Sequence, residues 1–265
     1  MKQLSSRDNS LFKALRALSE DPREVRRQRR TLLDGIHLVS VCMERGVPLR
    51  QLIVSEAALN QPEIERLIEF NRTSPDTDLI QLKDSLFSAI SGVATPVGIA
   101  GVIDLPADDE AEIGADAVFL EAVQDAGNVG AILRSAAAAG IRQVVLGHGC
   151  AGAWTPRVLR AGQGAHFSVK IREGINLEAW LGQRSDMIQR CVATVVNGGT
   201  ELFATDLRSP NIWLFGNEGA GLSSAMSAMA GRRVTIPMAA ATESLNVAAA
   251  AAICLFEAVR QRRST

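Results

Sequence analysis

The chain has 265 residues, 47% of them hydrophobic and 22% charged, with a formal net charge of -1. That is globular composition at a length for one large domain or two small ones. Its longest uninterrupted apolar run, Val247–Phe256, has ten residues, about half of what a membrane-spanning helix needs, so a transmembrane anchor is excluded. The opening MKQLSSRDNS lacks the apolar stretch of a secretory signal, and a cytoplasmic location is expected. Cys42, Cys150, Cys191 and Cys254 are far apart with no C-x-x-C pair, so neither a disulfide framework nor a cysteine zinc site is supported.

In chain order, DNSLFKALRALSED reads as an amphipathic helix capped near Asp8, and LLDGIHLVSVCMERG as a second helix ending at Gly46. LRQLIVSE is a strand, PEIERLIEFNRTS a helix and TDLIQLKD a strand, together a small α/β unit over residues 1–105. Glycine, proline and then acidic residues follow, and the linker is placed at 106–115. From 116 to 265 the chain is rich in alanine and glycine. AVFLEAV, QVVLG, RCVATVV, NIWLFG and RRVTIPM read as strands. VGAILRSAAAAG, PRVLRAGQG and SLNVAAAAAICLFEAVRQRR read as helices. Apolar strands without polar alternation predict a mostly parallel sheet covered on both faces.

Near-zero net charge does not exclude a nucleic-acid partner, because local patches decide. Residues 1–30 hold nine Lys or Arg against four Asp or Glu, with the cluster Arg26, Arg27, Arg29 and Arg30 at the end. Arginine suits phosphate contact, although the chain-wide excess of 24 Arg over 4 Lys also fits a compositional bias.

Two glycine patterns resemble phosphate loops. Gly147-His-Gly149-Cys-Ala-Gly152 matches G-x-G-x-x-G after a strand, but the next helix starts late, at Pro156, and a dinucleotide site is disfavoured. Gly216-Asn-Glu-Gly-Ala-Gly221-Leu222-Ser223 has Walker A glycine spacing. Leu222 stands where the loop needs Lys, and Glu218 would repel phosphate. A glycine-rich ligand loop of another kind is the better reading.

Three segments carry a sharper signal in combination: EAVQDAGNVGAILRSAAAAGI (121–141), WLFGNEGAGLS (213–223) and IPMAAATESLNVAAAAAICLFEAVRQR (236–262). In this order they resemble the three motifs of the SpoU (TrmH-type) RNA ribose 2′-O-methyltransferases of the SPOUT superfamily. TPRVLRAGQGAHF, between the first two, extends the resemblance. LLDGIHLV and TPVGIAGVI resemble the small α/β RNA-binding domain of rRNA-directed members. Asp34-Gly35 stands where members commonly have Glu-Gly, and Gly162-Gln163 replaces a small hydroxyl residue often seen there.

The resemblance implies an α/β fold: a C-terminal SPOUT domain with a parallel sheet and a deep trefoil knot, preceded by the small RNA-binding domain. It implies S-adenosylmethionine as methyl donor, a homodimer through the C-terminal domain, and structured RNA as substrate, rRNA ahead of tRNA. Asn128, Arg134, Glu218, Ser244 and Asn246 fall on the catalytic positions. Leu214, Gly216, Asn217, Gly219, Ile236, Met238, Leu245 and Asn246 fall on cofactor positions, and Arg160 on one facing RNA phosphate. Residue chemistry agrees. A loop without phosphate-matching charge suits a sulfonium donor, Gly216 and Gly219 allow close backbone approach, and Ile236 and Met238 can wall an adenine. Asn128 can also be a helix N-cap, and Ser244 can cap the last helix. Arg134 on an Ala-rich helix needs a partner or an RNA phosphate; its guanidinium stays protonated, which suits orienting substrate better than removing a proton. Ala248–Ala252 permits close helix packing, read as dimer interface or internal contact. His37, His148 and His166 show no metal-ligand spacing. The rival readings are a catalytically silent RNA-binding assembly protein of the same fold and a nucleotide hydrolase built on the 216–223 loop.

Overall fold

The computed structural model describes residues 1–72, 74–107, 116–239 and 242–263. Most of the expected linker, 108–115, lies outside the described residues. The chain forms two compact units: Met1–Ala107 with Trp154–Phe167, and Asp108–Ala153 with Ser168–Thr265.

The first unit runs β1 (Lys2–Leu4), α1 (Ser10–Glu20), α2 (Pro22–Gln28), β2 (Arg30–Asp34), α3 (Ile36–Glu44), β3 (Gln51–Ser55), α4 (Pro62–Arg72), β4 (Asp78–Leu82), α5 (Asp84–Ile90) and β5 (Ile99–Asp104). Its mixed sheet has the order β1-β4-β3-β5-β2. Helix α1 is capped by Asn9, whose side chain accepts from the Leu11 N–H at 2.9 Å; the cap expected near Asp8 is thus one residue later. Phe12, Leu15 and Leu18 form its buried stripe. The reading of LLDGIHLV as helix throughout is corrected. Arg30–Asp34 is a strand, antiparallel to β5 with Leu32 opposite Val102. Gly35, at φ 104°, turns the chain into α3. The short apolar stretch before Asp34 and Gly35 fits a buried strand as well as a helix. The Arg-rich segment is itself ordered. Asp21 caps α2 by accepting from the Arg23 N–H at 2.8 Å, Pro22 opens it, and left-handed Arg29 at φ 52° ends it.

The second unit runs β6 (Ala117–Leu120), α6 (Ala126–Ala138) and β7 (Gln143–Gly147). The chain then gives α7 (Pro156–Gly162) to the first unit and returns as β8 (Lys170–Ile175), α8 (Leu177–Gly182), α9 (Ser185–Ile188), β9 (Cys191–Thr194), β10 (Thr200–Glu201), β11 (Ile212–Phe215), α10 (Ser224–Met229), β12 (Arg232–Thr235) and α11 (Val247–Arg263). The seven strands pair in parallel throughout, in the order β10-β12-β9-β11-β6-β7-β8. Both faces are covered, as the unbroken apolar strands predict. Phe119, Ala193, Ile212 and Leu214 join Leu177, Leu181 and Met226 in one cluster, and Val118, Val192, Trp213 and Phe215, their neighbours in sequence, are also buried. Burying each large apolar side chain contributes about 1.5–3 kcal/mol, and this layer fixes the strand ends from which the site is built. At the far end of α11, Arg262 clamps Asp116 with two bonds of 2.6 and 2.8 Å.

Candidate active site

Ligands of parallel sheets bind beyond the carboxyl ends of the strands. A cavity of about 220 Å³ lies there, beyond β9, β11 and β12. Its wall includes Gly216, Asn217, Glu218, Gly219, Ile236, Met238, Ser244 and Leu245, so eight of the residues singled out in sequence converge on one space. Leu214 is not in the wall: its side chain belongs to the core cluster behind it. Thr194, Val195 and Val196, at the end of β9, also line the cavity. They carry no motif, but the strand-end rule applied to RCVATVV points to them.

The loop after β11 is closed by its own groups. The Asn217 N–H donates to the Gly221 carbonyl at 3.0 Å and the Gly221 N–H returns to Asn217 at 2.9 Å. The Asn217 side-chain oxygen accepts from the Gly219 and Ala220 N–H groups at 2.9 and 3.0 Å, and its NH₂ donates to the Ala122 carbonyl at 2.9 Å. The Ser223 N–H goes to Glu121 at 2.8 Å. A phosphate loop must aim free amides at the anion, and here these amides are already used. That removes the ground for the nucleotide-hydrolase reading. It also corrects the reason for Gly216. A Cβ there would fall on the backbone of Gly221 and Leu222, so the glycine is needed for the loop to close on itself. Asn217 likewise braces the loop with its side chain.

Three distant segments meet through Glu218. One carboxylate oxygen accepts from the Asp125 N–H at 3.1 Å and the Asn128 side-chain NH₂ at 3.0 Å; the other accepts from the Gln124 N–H at 3.2 Å. Burial pushes the Glu218 carboxyl up, but the bonds from Asn128 and the backbone N–H groups outweigh it and hold it below the usual carboxylate range. Asn128 then accepts from the Asn246 NH₂ at 2.9 Å, and the Asn246 oxygen accepts from the Ala248 and Ala249 N–H groups at 2.9 and 3.2 Å. This relay joins all three motif segments. Ala122, at φ 53° after β6, makes the turn that brings the Gln124 and Asp125 amides toward Glu218.

Two cap assignments change. Asp125 caps α6, accepting from the Asn128 N–H at 2.9 Å, so Asn128 sits in the first turn with its side chain free for the relay. Asn246, not Ser244, satisfies the first amides of α11, and Ser244 is left facing the cavity. Arg134 is exposed on α6 with no ion pair among the described residues. Six residues beyond Asn128, it leaves the helix about 120° around the axis from it, and the relay does not include it.

The basic residues divide. Arg27 is paired with Glu24 at 2.6 Å, and its hydrogen bond lowers the Glu24 carboxyl to about 2. Arg30 is paired with Asp104 at 2.9 Å, a carboxylate it shares with Arg50. Arg29 donates to the Pro106 carbonyl at 2.6 Å. Arg26 is exposed with no partner among the described residues. Arg160 lies beside the buried Asp34, 3.6 Å from its carboxylate.

Residues 116–256 match the family model described as the SpoU rRNA Methylase family, and residues 9–101 match the MRM3-like substrate binding domain. The chain is 29% identical to the 23S rRNA (guanosine(2553)-2′-O)-methyltransferase RlmP of Bacillus subtilis, over 97% of this chain and 98% of that protein. It is 31% identical to the 23S rRNA (uridine(2479)-2′-O)-methyltransferase of Streptomyces viridochromogenes, over 99% of this chain and 93% of that one. Among solved structures, the SpoU methyltransferase AviRb from Streptomyces viridochromogenes in complex with the cofactor AdoMet superposes with a TM-score of 0.86 at 30% identity, covering 97% of this chain and 99% of that one.

Proposed function

The chain belongs to the SpoU rRNA methylase family, and from that premise we propose that it methylates a ribose 2′-hydroxyl of structured RNA, with S-adenosylmethionine as donor and large-subunit rRNA as substrate. The observation that carries this reading is the relay Glu218–Asn128–Asn246 beside the cavity. A silent scaffold would have no need to tie three separate segments around a pocket by charged and amide side chains. The relatives named for 23S rRNA support the choice of RNA.

The cavity fits the donor chemically. Ile236, Met238, Leu245 and Val247 offer apolar walls, and the self-satisfied loop asks for no phosphate. When bound, S-adenosylmethionine supplies a sulfonium methyl for in-line displacement, which the site must hold in near-attack geometry. Glu218 already accepts from several donors, close to the capacity of a carboxylate. It is an organiser of Asn128, not a proton acceptor. Asn128 in turn fixes Asn246 and the entry to α11, which carries the Leu245–Val247 side of the wall. Ser244 has its hydroxyl available at the cavity. Arg134, permanently charged, orients the target phosphate and polarises the hydroxyl.

The reading extends to the organisation of the protein. Residues 1–105 bind RNA through Arg26, Arg27, Arg29 and Arg30, Arg160 adds a contact from the later segment, and 116–265 carry the chemistry within a trefoil knot. A second copy packs on the outer face of α11, where Phe256 is exposed. A cytoplasmic location goes with this reading, because the relatives named for 23S rRNA are bacterial.

The test is transfer of labelled methyl from S-adenosylmethionine to an unmodified large-subunit rRNA transcript, followed by ribose-methylation mapping. One 2′-O-methylated nucleotide is expected. Arg134→Ala should keep the thermal midpoint, because α6 is Ala-rich and position 134 exposed, while turnover falls about 10²–10³-fold. Methylation of a base, or normal turnover in that variant, ends the reading or the assignment respectively.

A further inference from the structure

Arg160 and Asp34 form an ion pair unlike the others among the described residues. Asp34 is at the end of β2, with its side chain only 4% exposed. One of its oxygens accepts from the Ser91 hydroxyl at 2.9 Å and the Gly92 N–H at 3.0 Å. The Arg160 guanidinium, in the last turn of α7, stands 3.6 Å from that same oxygen, and its Nη1 is buried without a hydrogen-bond partner among the described residues. The Arg262–Asp116 clamp shows what a purely structural pair looks like here: two short bonds to the carboxylate, and further bonds from Arg262 to the carbonyls of Leu207, Arg208 and Ser209. Arg160 has no such saturation, and its side chain remains 24% exposed. Gly92 keeps the space for it. A Cβ there would fall on Nη1 and lie 2.7 Å from Cζ.

We propose that Asp34 is a positioning residue, which holds the Arg160 guanidinium over Gly92 with donors left over for a phosphate oxygen of the RNA backbone. Asp34, Ser91 and Gly92 all fall in the segment that matches a substrate binding domain, whereas Arg160 comes from the segment that matches the methylase. The pair therefore gives the substrate-binding half a cation from the catalytic half, already placed. A buried carboxylate supplies the field that keeps the cation in place, and its saturated oxygen leaves the guanidinium N–H groups unspent. An arginine held this way loses less freedom on meeting phosphate than a surface lysine does.

This inference rests on the RNA-methylation reading, and the experiment separates the two. Full-length protein is titrated with the unmodified large-subunit rRNA transcript between about 50 and 200 mM salt, with the thermal midpoint and S-adenosylmethionine affinity as the checks on folding. Arg160→Ala should weaken RNA binding about tenfold and reduce the salt slope by roughly one. Asp34→Asn should move affinity the same way, and the double variant should be no worse than Arg160→Ala alone. If Asp34→Asn lowers the thermal midpoint but leaves affinity and slope unchanged, or if the two effects add, Asp34 does not act through Arg160. Should Asp34→Asn lose donor binding, Gly92→Ala decides: it keeps the carboxylate and displaces the guanidinium, so unchanged RNA affinity there overturns the proposal. If the unaltered protein neither binds nor methylates the transcript, the functional reading itself falls, and this inference with it.

Discussion

Two glycine-rich loops in the second unit follow buried parallel strands: 147–152 after β7 and 216–221 after β11. By glycine spacing both resemble phosphate loops, the first G-x-G-x-x-G and the second a Walker A pattern without its Lys. In the fold the first is pinned to its surroundings. The His148 N–H goes to the Ile175 carbonyl at 3.3 Å and the Ala151 N–H to the Val123 carbonyl at 2.9 Å, and no residue of this loop lines the cavity. The second also spends its amides internally, yet its Glu218 side chain reaches residues 124–128 and, through Asn128, is linked to Asn246. Glycine spacing reports only that backbone must turn sharply. A site is reported by a polar side chain that the turn leaves over and that finds partners far away in sequence.

The contrast makes its largest prediction at Gly216. A methyl group there collides with backbone that cannot yield without opening the loop, so Gly216→Ala should cost ~3 kcal/mol and abolish S-adenosylmethionine binding. At Gly149 the φ of 82° penalises alanine, but the nearest atom is the Ala122 Cβ at 3.3 Å. Gly149→Ala should cost about 1–2 kcal/mol with donor affinity kept. Thermal denaturation and donor titration of both variants test this, and equal loss of binding in the two would place Gly149 in the site as well.

The next effect belongs to the relay. Asn128→Ala leaves Glu218 and Asn246 without their shared partner, although Asp125 still caps α6. Methyl transfer should fall about 10²-fold or more, against a change in thermal midpoint of a few degrees, equivalent to roughly 1 kcal/mol. Single-turnover rates with saturating donor measure it. A rate within twofold of the unaltered protein would reduce Asn128 to a packing residue.

Much of this site was legible in the sequence, for identifiable reasons. Gly216–Gly219, Ile236, Met238, Ser244 and Leu245 lie on short contiguous segments whose patterns survive without a fold. The partners of Asn128 could not be read, because they stand 90 and 118 positions away and no local spacing encodes such a meeting. The caps failed for a different reason. Asp125 and Asn128, like Ser244 and Asn246, are equally competent side chains, and which one caps depends on where the helix begins. At α6 the left-handed turn at Ala122 precedes that start. The same limit turned β2 into helix: Leu32 and Leu33 fit either period, and only pairing with β5 decides it. The parallel sheet was readable because strands buried on both faces need no alternation; the short, partly polar β1, β8, β10, α2 and α5 gave no periodic signal.

The smallest effect concerns pH and separates Glu218 from an ordinary surface acid. Its folded-state pKa lies below the ordinary value, because the bonds from Asn128 and backbone N–H groups outweigh the upward push of burial. A group of this sign contributes stability that is present above its unfolded pKa and is lost as pH falls through the lower, folded one. Glu218→Gln removes the charge without the shape. The gap in thermal midpoint between the unaltered protein and this variant should stay constant from neutral pH down to the ordinary carboxylate range, and then close below it. Screening by solvent keeps the gap small, so it is best read as a difference between parallel melts across pH. A gap that instead closes between pH 6 and 8, roughly the histidine range, would mean that a different group controls the relay, and that Glu218 is not the residue organising Asn128.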